Sequence, residues 1–237
     1  MKSLSKIAVA LSLPLFLLFG FNKDAYSQIK LNAGMKYSNE FIDTFTGSNP
    51  GNGPHIQRSF NISYNRFNFG FWSSRDQGFS GGHFHETDIG VDYQLPLSTK
   101  FFSTRVSLYN WRATGVNLID LCFGIDAKYF LDTSVEFHST KVMGSETGSM
   151  LRLILSKPTT IKLGEANKLS LTPKISICGV NDLFGKNGIT NANFSGSINY
   201  SLENEGLILI LNFGKQYNFS DSVKEVKFLN AGFEVNL

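Results

Sequence analysis

The chain has 237 residues, 42% of them hydrophobic, which is enough for one domain with a sizeable buried surface. Its formal net charge is +3, and without residues 1–27, which hold three lysines and one aspartate, 19 basic and 18 acidic residues leave +1. This balance excludes nucleic acid as an electrostatic partner. After the first 25 residues no apolar run is long enough for a membrane helix. A helical membrane protein is therefore excluded, whereas a membrane β-barrel, whose strands carry their apolar residues in alternation, is not.

Residues 1–27 are predicted to be a secretory signal peptide. They begin with the basic residues Lys2 and Lys6, continue with an apolar run over residues 7–21, and end in the small-x-small sequence Ala25-Tyr26-Ser27. The alternative is an uncleaved membrane anchor. Either form places the rest of the chain, residues 28–237, beyond the inner membrane of a Gram-negative bacterium.

The remaining chain shows a period of two, in which apolar and polar residues alternate as they do along β-strands. The pattern predicts about 12 strands, with residues 161–163 as a continuation of the eighth. In chain order they are centred on residues 29–37, 60–64, 67–71, 86–95, 102–111, 119–129, 133–142, 151–155, 169–177, 193–202, 207–213 and 228–237.

Residues 86–95 show the two faces most clearly. One face carries Thr87, Ile89, Val91, Tyr93 and Leu95, and the other carries Glu86, Asp88, Gly90, Asp92 and Gln94. A face with three carboxylates cannot line a dry core, because an unpaired buried charge is costly. The apolar face is therefore predicted to meet lipid and the acidic face a wet interior. The alternative is a soluble β-sandwich or barrel with the apolar face turned inward.

The connections between the strands also alternate in length. Short turns are predicted near residues 65, 98, 131, 165 and 204, and longer loops near residues 47, 80, 114, 145, 186 and 220. Asn65-Arg66 fits a two-residue hairpin turn, because Asn tolerates the positive φ that such a turn demands. Five turns and six loops suit 12 antiparallel strands with both chain ends in the periplasm.

The predicted fold class is therefore all-β: a transmembrane antiparallel up-and-down β-barrel of about 12 strands in the cell outer membrane. Its partners would be outer-membrane lipids and, during insertion, the barrel-assembly machinery. The segment expected to bind that machinery is the last strand, residues 228–237, from Phe228 to Leu237. Phe233 in this strand resembles the aromatic residues of outer-membrane recognition strands, which usually end in Phe or Trp, whereas this chain ends in Leu237.

The middle of the chain resembles the TorF-type family of outer-membrane porins, over residues 60–142. The motifs that carry the resemblance are Gly70-Phe71-Trp72-Ser73-Ser74, Glu86-Thr87-Asp88-Ile89, Gly90-Val91-Asp92-Tyr93, Leu108-Tyr109-Asn110-Trp111 and Ile119-Asp120-Leu121-Cys122-Phe123-Gly124. The resemblance implies an outer-membrane location and a pore, and it supplies no catalytic residue, metal ligand or cofactor.

The polar faces of the strands gather charged residues that are predicted to line the lumen. They are Glu86, Asp88, Asp92, Arg105, Asp120, Asp126, Lys128, Glu136 and Arg152. Neighbouring strands lie about 4.8 Å apart, so Arg105 is expected to reach carboxylates on either side. The functional interpretation is a charged pore wall that selects small polar or cationic solutes. The alternative is an ion-pair network that fills a narrow lumen without transport.

Two further clusters contain residue types that can carry out chemistry. His83-Phe84-His85-Glu86 has metal-ligand spacing but lacks a fourth ligand, so a solvated loop is expected. His138 with Thr140 and Ser145 suggests a hydrolase set, but no paired acid is evident from the sequence. Cys122 and Cys178 are expected to be unpaired, because a disulfide needs Cα atoms within about 7 Å. No catalytic residue, metal site or cofactor is therefore predicted.

The sequence favours a porin-like passive channel for small hydrophilic solutes and not an enzyme. The alternative function is a non-conducting structural or adhesive barrel that binds partners through its outer loops. The loops expected to serve that role are residues 38–57, 75–85 and 181–191.

Overall fold

The computed structural model describes residues 29–40, 54–76, 85–96, 99, 101–113, 116–144, 147–183, 185–219 and 224–236. The predicted signal peptide, His83, Ser145 and Leu237 lie outside these ranges. Among the described residues, no helix has the length and apolar character needed to cross a membrane.

The described chain is almost entirely β-strand, with one short 3-10 turn at Glu203–Glu205. The strands are β1 (Ile29–Ser38), β2 (His55–Tyr64), β3 (Phe67–Asp76), β4 (His85–Gln94), β5 (Phe102–Ala113), β6 (Val116–Lys128), β7 (Asp132–Val142), β8 (Thr147–Ser156), β9 (Thr159–Lys162), β10 (Asn167–Leu183), β11 (Lys186–Leu202), β12 (Leu207–Asn218) and β13 (Lys224–Asn236).

The strands close into a ring in which chain neighbours pair antiparallel. The last strand, β13, pairs with β1 from Asn32↔Asn236 to Ser38↔Asn230, which closes the ring. The short β9 continues β8 past Lys157 and Pro158, and both pair with β10. Proline cannot donate to a ladder, which explains the break. Counting β8 and β9 as one strand of the wall, the fold is a closed 12-strand antiparallel barrel, as predicted.

Burial in this barrel is inverted relative to that of a soluble protein. On β6 the apolar Leu121 is 51% exposed, whereas its neighbours Asp120 and Cys122 are 1% and 2% exposed. The same alternation recurs on β7, where Phe137 is exposed and His138 is buried. Polar side chains therefore point into the barrel and apolar side chains cover its outer wall, which is the arrangement expected of a barrel in lipid.

One end of the barrel, here called the turn end, carries the short hairpin turns, the first residue of β1 and the last residue of β13. At Asn65-Arg66 the predicted two-residue turn is confirmed, and Asn65 has a φ of 52°. The opposite end is called the loop end.

Some of the connections predicted at the loop end were too long. The strand β5 ends at Ala113 and β6 begins at Val116, and β10 ends at Leu183 while β11 begins at Lys186. The predicted loop over residues 181–191 is therefore wrong. Its polar residues include Thr190 and Asn191, which are buried, and inside a barrel a polar run is compatible with a strand.

A charge on the outer wall tests whether that wall faces lipid. Phe123 is 42% exposed and pairs with Val106 and Phe137 on the neighbouring strands. We expect Phe123→Arg to lower the free energy of unfolding in lipid vesicles by about 2–4 kcal/mol, the cost of Arg at the bilayer midplane. Urea titration measures this loss.

The matched control is Ile189→Arg near the loop end, where Ile189 is 62% exposed and the expected cost is below about 1 kcal/mol. Equal losses in the two variants would contradict a lipid-facing midsection.

Candidate functional site in the barrel interior

The side chain of Arg105 on β5 extends along the inner wall, across β6 and toward β7. Arg105, Gly124 and Glu136 are consecutive partners across β5, β6 and β7. A Cβ at Gly124 would lie 2.9 Å from Cζ of Arg105, so a larger residue there would displace the guanidinium from its path across β6. Arg105 thereby forms ion pairs with Asp126 on β6 and with Glu136 two strands away.

Tyr109 on the same strand leans the opposite way, over β4. It is the partner of Gly90, where a Cβ would lie 2.2 Å from the ring. The ring thus crosses Gly90, and its hydroxyl donates to Oδ1 of Asp92 at 2.6 Å. The second oxygen of Asp92 accepts from Nδ2 of Asn68 at 3.1 Å. Two glycines in the strands therefore let two long side chains of β5 fill the interior on both sides.

Glu136 is the centre of the polar network. Besides Arg105, it pairs with Arg152 on β8, with Nη1 and Oε2 3.5 Å apart. Its other neighbour is His138, whose Nε2 lies 3.7 Å from Oε2. Three basic side chains thus converge on one carboxylate that is only 12% exposed, and carboxylates in such low-dielectric sites interact strongly with charged donors.

The network continues toward the loop end through Asp120. Nδ1 of His138 donates to Oδ2 of Asp120 at 2.6 Å, and the hydroxyl of Thr140 donates to Oδ1 at 2.6 Å. All three side chains are buried. Both oxygens of Asp120 are therefore satisfied, as burial of a carboxylate requires.

The opposite part of the interior is open. A cavity of about 420 Å³ lies against β1 to β3, β8 and β10 to β13. Most of its lining carries hydroxyl or amide groups, from residues such as Gln57, Ser176, Asn193, Ser195, Asn212 and Asn230. Two aromatic side chains, Trp72 and Phe228, share this lining. The interior is thus asymmetric, with a side filled by the network and an open, polar side.

The structure places the predicted lumen residues in three groups. Four belong to the connected network around Arg105: Arg105, Asp126, Glu136 and Arg152. Asp120 joins them through His138. Lys128 is exposed at the turn end, and the half-buried acids of β4 are Glu86, Asp88 and Asp92.

One detail of the prediction is wrong, because Arg105 pairs on one side only. Its partners lie on β6 and β7, not on β4. The absence of a side chain at Gly124 leaves space for Arg105 to reach Glu136. On the β4 side the space is occupied by the Tyr109 ring, whose hydroxyl donates to Asp92.

The structure describes only part of the two further clusters, because His83 and Ser145 lie outside the described residues. In the cluster around His138, the acid that the sequence did not reveal is Asp120, which accepts hydrogen bonds from His138 and from Thr140. His85 has one ring nitrogen 3.3 Å from the Ser74 carbonyl and the other 3.2 Å from the Thr87 hydroxyl. Within the described ranges no group of three or more metal-ligating residues occurs, and Cys122 and Cys178 are buried and not joined in a disulfide.

Sequence reasoning missed Lys174, Trp72 and Phe228 as cavity residues. Each lies on the polar face of its strand, next to residues such as Thr172 or Asn230. The period of two could have placed them inward, but it gives no signal for which part of the interior stays open.

No family model and no curated protein matches this chain, so the TorF resemblance stays a prediction. Solved structures do match it. The KdgM porin in complex with disordered oligogalacturonate is 8% identical, with 88% of this chain and 99% of that chain covered and a TM-score of 0.54. The COG4313 outer membrane channel from Pseudomonas putida F1 is also 8% identical, over 88% and 95% of the two chains, with a TM-score of 0.51. LpxR from Salmonella typhimurium is 7% identical, over 86% and 99%, with a TM-score of 0.51.

At these identities the likeness concerns the fold. The chain has the closed 12-strand barrel architecture of outer-membrane proteins, a class that includes porins and channels.

The central role of Glu136 makes a testable prediction. Glu136→Gln keeps the size of the side chain but leaves Arg105 and Arg152 without a carboxylate that they share. We expect the free energy of unfolding to fall by about 2 kcal/mol, less than for a fully buried pair because Arg105 is partly solvated. Urea titration of the folded barrel measures the loss.

The control is Glu225→Gln on the outer wall, where Glu225 pairs with the exposed Lys215 and Lys227. An exposed pair contributes little, so no measurable change is expected there. A loss at Glu225 as large as that at Glu136 would contradict the central role of Glu136.

Proposed function

We propose that the chain is a porin-like passive channel of the outer membrane that passes small hydrophilic solutes. The observation that carries this proposal is the polar cavity of about 420 Å³ beside the charged network. A barrel of 12 strands is wider than one of eight, whose interior is filled by side chains. Water and small polar solutes can be hydrated by the hydroxyl and amide groups of such a wall.

The comparisons support the same proposal. Solved structures with this fold include the KdgM porin and the COG4313 channel. One KdgM structure is a complex with disordered oligogalacturonate, which is a hydrophilic solute. The N-terminal signal peptide predicted over residues 1–27 would supply the route across the inner membrane.

The charged lumen residues would set the electrostatics of the passage. The acids Glu86, Asp88 and Asp92 lie on one wall, and the network of Arg105, Glu136 and Arg152 lies beside it. Charged rings and walls of this kind bias which ions enter a pore. The network would also keep the filled side rigid, so the open side defines the path.

The second candidate is a non-conducting barrel that acts through its outer surface. The observation in its favour is the network itself, which occupies one side of the interior. Of the three loops expected to serve this role, the segment 181–191 is largely strand, with residues 181–183 in β10 and residues 186–191 in β11, which weakens this candidate. The segments between β1 and β2 and between β3 and β4 remain available to it.

Single-channel recording in planar bilayers tests the channel and the network together. We expect discrete conductance steps for the unaltered protein. Arg105→Ala removes one positive charge and leaves Asp126 without its partner, so the reversal potential in a KCl gradient should shift toward the value for potassium.

Lys227→Ala, which removes the same charge from the outer wall, should leave the reversal potential unchanged. An absence of conductance at every voltage would overturn the channel proposal. Identical reversal potentials in all three proteins would show that Arg105 does not face the ion path.

A further inference from the structure

The charges on the cavity wall are not those of the acidic strand β4. Among the described residues that line the cavity, the charged side chains are Glu40, Arg152 and Lys174. Glu40 follows the end of β1 at the loop end, whereas Lys174 lies midway along β10. The middle of the cavity is therefore basic, although acids prevail on the opposite wall.

The two basic side chains of the cavity, Arg152 and Lys174, differ in whether they form an ion pair. Arg152 has Glu136 as a partner at 3.5 Å, and Glu136 is shared with Arg105. Lys174 forms no ion pair within the part of the chain that the structure describes, although Glu136 is close enough to attract its charge. It is half-buried, and its cross-strand partners are Ser156 and Ser195. A cation held in this way inside a barrel is available to an anionic ligand.

The same cavity offers an aromatic surface and many hydroxyl partners. Trp72 from β3 and Phe228 from β13 line it together with Asn212, Asn230 and Ser195. A sugar ring presents apolar C–H faces and a rim of hydroxyl groups. Aromatic rings pack against the C–H faces, and amides and hydroxyls form hydrogen bonds with the hydroxyl rim. This is the usual combination in sites for small ligands, where apolar surface is joined by a few well-placed polar groups.

We propose that this cavity binds a carboxylated sugar, with the carboxylate at Lys174 and Arg152 and a ring face against Trp72. The expected ligand class is thus a sugar acid, and the sign of its charge is opposite to that of the cationic solutes favoured by the acidic strand alone. The inference deepens the proposed channel function, on which it rests for the route of the ligand, but binding is measurable without transport.

Tryptophan fluorescence provides the measurement. The chain has two tryptophans, Trp72 and Trp111, so a Trp111→Phe background leaves Trp72 as the reporter. Folded protein in detergent is titrated with glucuronate and, separately, with glucose, which has the same ring without the carboxylate. We expect a saturable change with glucuronate and a response at least about tenfold weaker with glucose.

Charge variants in that background then locate the anion. Lys174→Gln should weaken glucuronate binding about tenfold, Lys174→Arg should restore most of it, and Lys227→Gln on the outer wall should have no effect. Equal responses to glucose and glucuronate, or equal affinity in Lys174→Gln and Lys227→Gln, would overturn the inference. Before titration, circular dichroism and the difference in gel mobility between heated and unheated samples show that each variant is folded.

Recording in bilayers separates this inference from the channel proposal. Glucuronate binding without conductance would overturn the channel and leave the sugar-acid site standing. Conductance without a Lys174-dependent response to glucuronate would overturn the site and leave the channel standing.

Discussion

The structure depends on the closure of its backbone hydrogen bonds around the ring. A strand edge in hydrocarbon would leave N–H and C=O groups unsatisfied at several kcal/mol each, by order of magnitude. The pairing of β13 with β1 removes that edge, from Asn32↔Asn236 to Ser38↔Asn230. Once the ring is closed, each strand has one face toward the surroundings and one toward the interior, and the period of two in the sequence follows from that geometry.

Closure also creates an interior that must be filled with polar groups or water. The ion pairs of the interior lie chiefly on one side, where Glu136 contacts Arg105, Arg152 and His138. This arrangement needs space as well as charge. The glycines at positions 90 and 124 supply it, because each lies under a long side chain of β5. Small residues in the strands thus decide in which direction the large ones lean.

The sequence was sufficient for the faces of the strands and for their approximate number. Alternation around Asp120 and Cys122, for example, is reproduced by their burial beside the exposed Leu121. The break at Pro158 is likewise where a missing N–H interrupts a ladder.

The lateral direction of a side chain was not predictable, because a period of two separates inside from outside and nothing more. Arg105 could have turned to β4 or to β6, and the choice rests on Gly124, Tyr109 and Glu136 together. The polar run ending at Asn191 looked like a loop for a related reason. Thr190 and Asn191 are buried in a barrel whose inner wall is itself polar. In such a barrel a polar run can be a strand, so the usual distinction between polar loops and apolar strands does not apply.

The asymmetry of the interior has a consequence for any solute inside the barrel. In the proposed channel, a solute that follows the open side meets the polar wall of β10 to β13. The acids of β4 lie one strand beyond Trp72 of β3, whose cross-strand partner is Asp88. Arg152 belongs to both regions, because it pairs with Glu136 and lines the cavity. The network therefore does more than fill space, because through Glu136 it holds the cation of Arg152 at the boundary of the open side. In the proposed channel this cation and Lys174 would be the basic groups that a solute meets there.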